Sequence, residues 1–311
     1  MDRRRKGGIR ESTRRFFRQG RDLEGYSLFD FIHGYIYGRW PYFYIGVGLG
    51  EHPFSRVLRS LYDLLTRWFR GEGQQQVVKE TFEDTYHGKV VSTAAAEDLI
   101  SIGEEITVQN LEPVLPYRRA KDIVLQNPDH LVVLDCPCRS VRTDPCYPLD
   151  VCLIVGEPFA SFVLDHQPEH ARAVDLEEAV RILKEEHERG HVHHAFFKDA
   201  MLDRFYAICN CCTCCCGAMQ AQRQGTMMLA SSGYLARKDD QRCQNCGQCV
   251  EVCPFQALSW QGERVRIDEE VCLGCGICVD QCCEGALALE LAPEKGQPLE
   301  IQRLLDQAAL E

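Results

Sequence analysis

Nineteen of the 311 residues are cysteine, and they fall into three groups with different spacings. Residues 243 to 254 read CQNCGQCVEVCP and residues 272 to 283 read CLGCGICVDQCC; both have the spacing C-x2-C-x2-C-x3-C, and the copies lie 29 residues apart. Residues 209 to 216 read CNCCTCCC, and a looser set places Cys136 and Cys138 in CPCR and Cys146 and Cys152 in DPCYPLDVC. Thiolates are soft ligands that select iron–sulfur clusters, zinc or cuprous ions. Two-residue gaps let three successive thiolates curl around one cubane. Gly247, Gly274 and Gly276 let the backbone pass close to inorganic sulfide and aim amide donors at it. The fourth cysteine of each run opens a helix leading away and is better placed for the other cluster.

These runs, with the tails FQAL (255 to 258) and EGAL (284 to 287) and the hairpin SWQGERVRI between them, resemble the bacterial two-cluster 4Fe-4S ferredoxins over about residues 239 to 292. The resemblance implies two 4Fe-4S clusters, one on Cys243, Cys246, Cys249 and Cys282, the other on Cys272, Cys275, Cys278 and Cys253. Structural zinc modules do not need this doubled four-cysteine grammar. One departure stands out: Pro254 follows the first run, as the family has it, whereas Cys283 follows the second and leaves a spare thiol beside Cys282.

Eleven cysteines remain, an odd number that suits disulfides poorly, and neighbours such as Cys211 and Cys212 rarely bridge without strain. No single cubane takes six ligands from eight consecutive residues, because alternate side chains point different ways. The economical expectation pairs Cys209, Cys211, Cys212, Cys214, Cys215 and Cys216 with Cys136, Cys138, Cys146 and Cys152, holding one or two further clusters between two chain segments. At least one further iron–sulfur cluster is the leading reading; zinc or copper, and thiols that act by exchange, stay open. Cys152, in the apolar VCLIV run, also reads as ordinary core. His193 or His194 reads as a ligand or proton donor near the thiolates, or as a hydrogen-bonded imidazole, the commoner case. Arg139 either offsets thiolate charge or is a surface cation. CPCR, DPC-x5-C and CNCC-x-CCC together resemble, over about residues 130 to 290, a group of uncharacterised ferredoxin-tailed iron–sulfur proteins of anaerobes, which supports iron–sulfur chemistry without supplying a substrate.

The elements that must hold these residues read as an α+β chain. A helix is expected over residues 90 to 109, starting near Ser92 or Thr93, and a second from Pro116 through YRRAKDIVLQ to Asn127-Pro128. Leu131 to Leu134 reads as a strand delivering Asp135, Cys136, Pro137 and Cys138. In DLEEAVRILKEEHERG, Asp175 caps a helix with Glu178 in the capping-box position. Leu176, Ala179, Val180, Leu183 and His187 share one face, and Gly190 ends the helix. VHHAFF follows as a strand, so helix, turn and strand form a winged-helix-like piece. GVGLG (46 to 50) reads as a turn, not a dinucleotide site. Four regions follow: a basic arm and aromatic segment (1–80), a cysteine-rich metal or redox domain (81–236), a two-cluster ferredoxin domain (237–293) and a docking helix (294–311) on the stripe Leu299, Leu304, Leu305 and Ala308.

Charge changes sign along the chain. Residues 1 to 21 carry nine Lys/Arg against two acids, whereas residues 239 to 311 hold fourteen Asp/Glu and five Lys/Arg, most of the overall net charge of −11. An acidic C-terminal module repels nucleic acid and suits docking to a basic patch on a protein redox partner. The basic N-terminus reads foremost as a frayed, solvated arm followed by an ordinary aromatic core segment, with a peripheral membrane surface or a partner subunit as the alternative it suits. Its arginines lack the apolar stretch that export requires, and residues 26 to 50 are too interrupted to span a bilayer, so the chain reads as cytoplasmic. In a reducing compartment this thiol density means metal or redox work. The expectation is an iron–sulfur electron-transfer protein passing single electrons through two 4Fe-4S clusters to or from the upstream thiols, within an anaerobic oxidoreductase system. A reductase catalytic at 209–216, a cluster or persulfide carrier, and a redox-sensing DNA-binding regulator are the alternatives.

Overall fold

A computed structural model describes residues 8–55, 86–109, 111, 114 and 122–308. The start of the basic arm, residues 56–85, the helix expected from Pro116 as far as residue 121, and residues 309–311 lie outside the described residues.

Three helices open the chain: α1 (Glu11–Arg21), α2 (Leu28–Arg39) and α3 (Pro41–Gly48). An eight-stranded sheet follows, built from β1 (Tyr86–Val90), β2 (Ile106–Val108), β3 (Ile123–Asp135), β4 (Asp150–Glu157), β5 (Ala171–Val174), β6 (Val192–Lys198), β7 (Arg204–Cys211) and β8 (Leu229–Ala230). The order is β2-β3-β4-β7-β6-β1-β8, with β5 also on β3. All pairs are antiparallel except β1 with β8. Between strands lie α4 (Thr93–Ile100), α5 (Pro137–Ser140), α6 (Phe159–His166), α7 (Leu176–Glu188) and α8 (Gly217–Arg223).

Strand side chains alternate between the two faces, and each face has its own core. Leu131, Val133, Leu153, Val155, Ala195 and Phe197 meet α4, α7 and the C-terminal segment around Leu299, Ile301 and Leu304. Val132, Leu134, Cys152, Ile154, Phe196 and Cys211 look the other way, toward Phe16 of α1, Phe159 and Phe162 of α6, and Met219 of α8. One face of the basic arm from Arg10 onward is packed: Ser12, Thr13, Phe16 and Gly20 are buried and Arg10 and Arg15 pair with Asp165 and Glu157, while Arg14, Arg18 and Arg21 stay exposed. Among the described residues, no helix is long and apolar enough to cross a membrane.

The helix expected over 90–109 stops at Ile100; Gly103 takes a positive φ of 68°, and the β-branched Ile106–Val108 pairs with Leu125–Ile123. The second expected helix is corrected more sharply. Residues 123–126 already belong to β3, which runs through Asn127 (φ 48°) and Pro128 as a 13-residue strand, because its alternate residues bury against two neighbours. Helix α7 has its Asp175 cap, which accepts from the Glu178 amide at 2.8 Å, and Gly190 has φ 80°. The Glu178 side chain, however, pairs with Arg172 and Arg181 instead of completing the box. The winged-helix-like piece is not a separate module: β6 lies between β7 and β1 inside the large sheet, and α7 packs on it. Of GVGLG, residues 46–48 finish α3 and only the last two form the turn.

The C-terminal module comprises β9 (Tyr234–Lys238), α9 (Gln248–Val252), the hairpin β10 (Leu258–Gln261) and β11 (Arg264–Ile267), α10 (Ile277–Asp280) and β12 (Leu287–Leu291). β9 pairs antiparallel with β12, so this strand crosses the boundary expected at 236/237. The last helix, α11 (Ile301–Ala308), docks on the chain's own α4.

Candidate metal centre

The two cysteine runs fold as pseudo-equivalent halves. Each places its third cysteine, Cys249 or Cys278, on a short helix, α9 or α10, entered through a glycine with positive φ, Gly247 at 84° and Gly276 at 87°, and its fourth, Cys253 or Cys282, just past the end of that helix, where it follows a helix and does not open one as expected. Cys253 and Cys282 occupy matching positions, accepting the amide N–H of Ala257 and Ala286, each at 3.3 Å. The fourth cysteines cross over. Cys253 lines a cavity with Cys272, Cys275 and Cys278, while Cys282 lines another with Cys243, Cys246 and Cys249. Glycine is required nearby: a Cβ on Gly274 would lie 2.1 Å from the Tyr234 carbonyl oxygen, and one on Gly247 would lie 2.5 Å from Trp260. Cys283 is exposed, turns toward Glu284 and lines neither cavity.

Burial pushes the Cys275 thiol up to about 12, and burial with Cys275, Cys253 and Cys272 as neighbours raises Cys278 too. Such thiols shed their protons only when a cation compensates the charge, so this donor set fits iron held in a cluster.

Residues 242–286 match the family model of a 4Fe-4S dicluster domain. This segment is a ferredoxin-like iron–sulfur module. Its chemistry is iron–sulfur electron transfer, and the hairpin and helices around it serve to hold cluster-binding cysteines. Curated proteins offer no match to the chain.

Upstream of the module, the ten remaining expected site residues come together, but in two groups. Cys136 contacts Cys138 and Cys152; Cys138 contacts Cys216; Cys216 contacts Cys211; and Cys152 contacts Cys209. These six thiols lie on or beside the same sheet face, inside the core that also holds Phe196 and Met219. The Cys138 contact and burial hold Cys136 up at about 12. Cys152 is both part of the apolar core and in contact with two thiols, Cys136 and Cys209. The other group is Cys146, Cys212 and Cys214, whose sulfurs lie within 4.8 Å of one another, with Cys215 Sγ 3.6 Å from Cys214 Sγ. The CNCCTCCC segment is split by its own geometry. Cys209 and Cys211, two apart on β7, share a face, and Cys216 returns to it after the turn, whereas Cys212, Cys214 and Cys215 belong to the turn.

Arg139 stands between the groups. It is fully buried, feels Cys136 and Cys212, and donates to Glu186 Oε2 at 2.6 Å, to the Asn210 carbonyl at 2.9 Å and to the Pro148 carbonyl. It is a buried counter-charge and not a surface cation. His193 takes the blander of its two readings: its Nδ1–H donates to Asn210 Oδ1 at 2.6 Å, and the Thr93 hydroxyl donates to Nε2. His194 pairs in register with Cys209, is wholly buried, and neither ring nitrogen has a hydrogen-bond partner among the described residues; burial lowers it to about 3, so the ring is neutral. Sequence reasoning overlooked Glu186 and the link between His187 and Asp280, whose side chains meet at 2.5 Å. Both are charged positions on helices, indistinguishable by pattern from solvated ones.

Proposed function

We propose that this protein carries single electrons between two 4Fe-4S clusters in the C-terminal module and a third iron–sulfur centre that draws its ligands from among Cys136, Cys138, Cys152, Cys209, Cys211 and Cys216. Cys243, Cys246, Cys249 and Cys282 hold the outer cubane; Cys272, Cys275, Cys278 and Cys253 hold the inner one. The observation that carries this reading is one continuous apolar core. Ile277, fully buried, and Leu273 and Cys275 pack into the same core as Cys136, Cys211 and Cys216, so the inner cubane and the upstream thiols share a water-excluded medium. Burial of this kind, ligand type and amide donors to sulfur set cluster potentials. A protein redox partner with a basic patch docks at the acidic module and exchanges electrons with the outer cubane. The net-negative module and the absorption of the helix–turn–strand piece into the sheet weigh against a DNA-binding regulator.

Iron and acid-labile sulfide per chain, measured on protein purified without oxygen, with electron paramagnetic resonance of the reduced sample, tests the reading. About twelve irons and three spectral species are expected, and about eight would remove the upstream cluster. Cys246→Ser should lose about four irons and one cubane signal while leaving the upstream signal intact; an unchanged spectrum would defeat the ligand assignment.

A further inference from the structure

We propose that Cys146, Cys212, Cys214 and His191 form a separate mononuclear site for zinc, distinct from every iron–sulfur centre. The inference rests on reading the upstream thiols as a metal region and divides that region in two.

Spacing is the first ground. A tetrahedral zinc ion with Zn–S bonds of about 2.3 Å holds its thiolate sulfurs about 3.8 Å apart. The three sulfurs here already lie within 4.8 Å of one another, and thiolates on different corners of a cubane stand farther apart than ligands of one ion. The fourth ligand is the second ground. His191 Nε2 lies 3.7 Å from Cys146 Sγ, the separation expected of a nitrogen and a sulfur that share one tetrahedral ion, about 3.6 Å. Its other nitrogen, Nδ1, meets Glu186 Oε2 at 2.7 Å, and Arg139 holds that carboxylate as a buried ion pair. Nδ1 also lies 3.1 Å from Arg139 Nη2, but its shorter contact is to the carboxylate, which can only accept, so Nδ1–H donates to Glu186 and the Nε2 lone pair is left toward Cys146 Sγ, at the edge of the three-sulfur group. A carboxylate behind a ligating histidine is the usual way to fix its tautomer and orientation.

Cys215 stays outside the set although its sulfur is 3.6 Å from Cys214 Sγ, because it is not among the three sulfurs that lie within 4.8 Å of one another. The buried thiols make their contacts among themselves, with Arg139 between the two groups. Binding is a simple exchange: zinc enters as one proton leaves each of the three thiols, and His191 binds through Nε2. The site opens on its Cys214 side, since that thiol is exposed, so zinc can load after folding.

The experiment uses the full chain purified anaerobically, with zinc, iron and sulfide counted together, and cobalt(II) as the spectroscopic probe. One zinc per chain is expected. Cys214→Ser, a change at an exposed position, should bring zinc close to none while iron and sulfide stay unchanged. Cobalt should give thiolate charge-transfer bands with tetrahedral ligand-field bands, and His191→Asn should shift the ligand-field bands while retaining charge transfer. A loss of iron in Cys214→Ser would place these thiols in a cluster and overturn the inference while leaving the electron-transfer reading standing. Absence of both zinc and cobalt binding would overturn it as well. So would alkylation of Cys146 alone in zinc-treated protein, the mark of a nucleophile paired with His191.

Discussion

Lys89 sits on β1 with 1% of its surface exposed, and its ammonium donates to the Gln297 carbonyl at 2.8 Å. Burial lowers its pKa from 10.5 to about 8. Between about 8 and 10.5 the unfolded chain binds more protons at this site than the folded one, so this residue makes stability rise with pH across that window. Below it, a charged Lys89 opposes folding. Lys89→Met should stabilise the protein at pH 7 by on the order of 1–3 kcal/mol, with the gain shrinking toward pH 10. Chemical unfolding of both proteins at several pH values checks this, and the difference between them cancels the opposite trend of the buried thiols. A gain independent of pH would mean that the methionine simply packs better.

At the scale of the element, the loops carry the stringent demands. Gly274, between the first two cysteines of the second run, has φ 65°, and its Cα faces the Tyr234 carbonyl and the Ser232 hydroxyl at distances that leave no room for a methyl group. Gly274→Ala should destabilise the module by about 3 kcal/mol or more and lower occupancy of the Cys272, Cys275, Cys278 and Cys253 site before that of its twin. Iron content and the two cubane signals report the order of loss. Gly262, in the β10–β11 turn, has positive φ too, but a Cβ there would meet nothing within 4 Å, so alanine should cost only the strain of the turn, about 1 kcal/mol.

Across the whole molecule, the ferredoxin-like module is packed into the rest of the chain and does not trail from it. Ile277 seals its contact with the thiol-bearing face, His187 on α7 donates to Asp280 on α10, and Arg223 donates to the Pro254 carbonyl at 2.9 Å. Ile277→Ala should cost about 2–4 kcal/mol by the usual arithmetic of a buried aliphatic truncation. The parent's cluster absorbance and far-ultraviolet dichroism should melt together, and in the variant they should separate. Coincident melts in both would show that the two parts are coupled elsewhere.

What could be read from residue order was local and periodic. The doubled C-x2-C-x2-C-x3-C spacing is itself a geometric statement, so the module over 242–286 was legible, as were α7 with its Asp175 cap and the strand that delivers Cys136. The parity of CNCCTCCC already forbade a single six-ligand cluster, since neighbouring side chains diverge. Which thiol joins which group depended on where β7 ends and the turn begins, and on β4 and α5 bringing Cys152, Cys136 and Cys138 across the sheet. Those contacts span some sixty to eighty residues of sequence, and spacing says nothing of them. The strand over 123–126 escaped for the same reason, because it is held by partners from distant parts of the chain and not by local propensity. Arg139, Glu186 and His191 show the limit most plainly: charge alone predicts a solvated surface, and only burial by the surrounding fold turns the three into a fixed electrostatic frame between two sets of thiols.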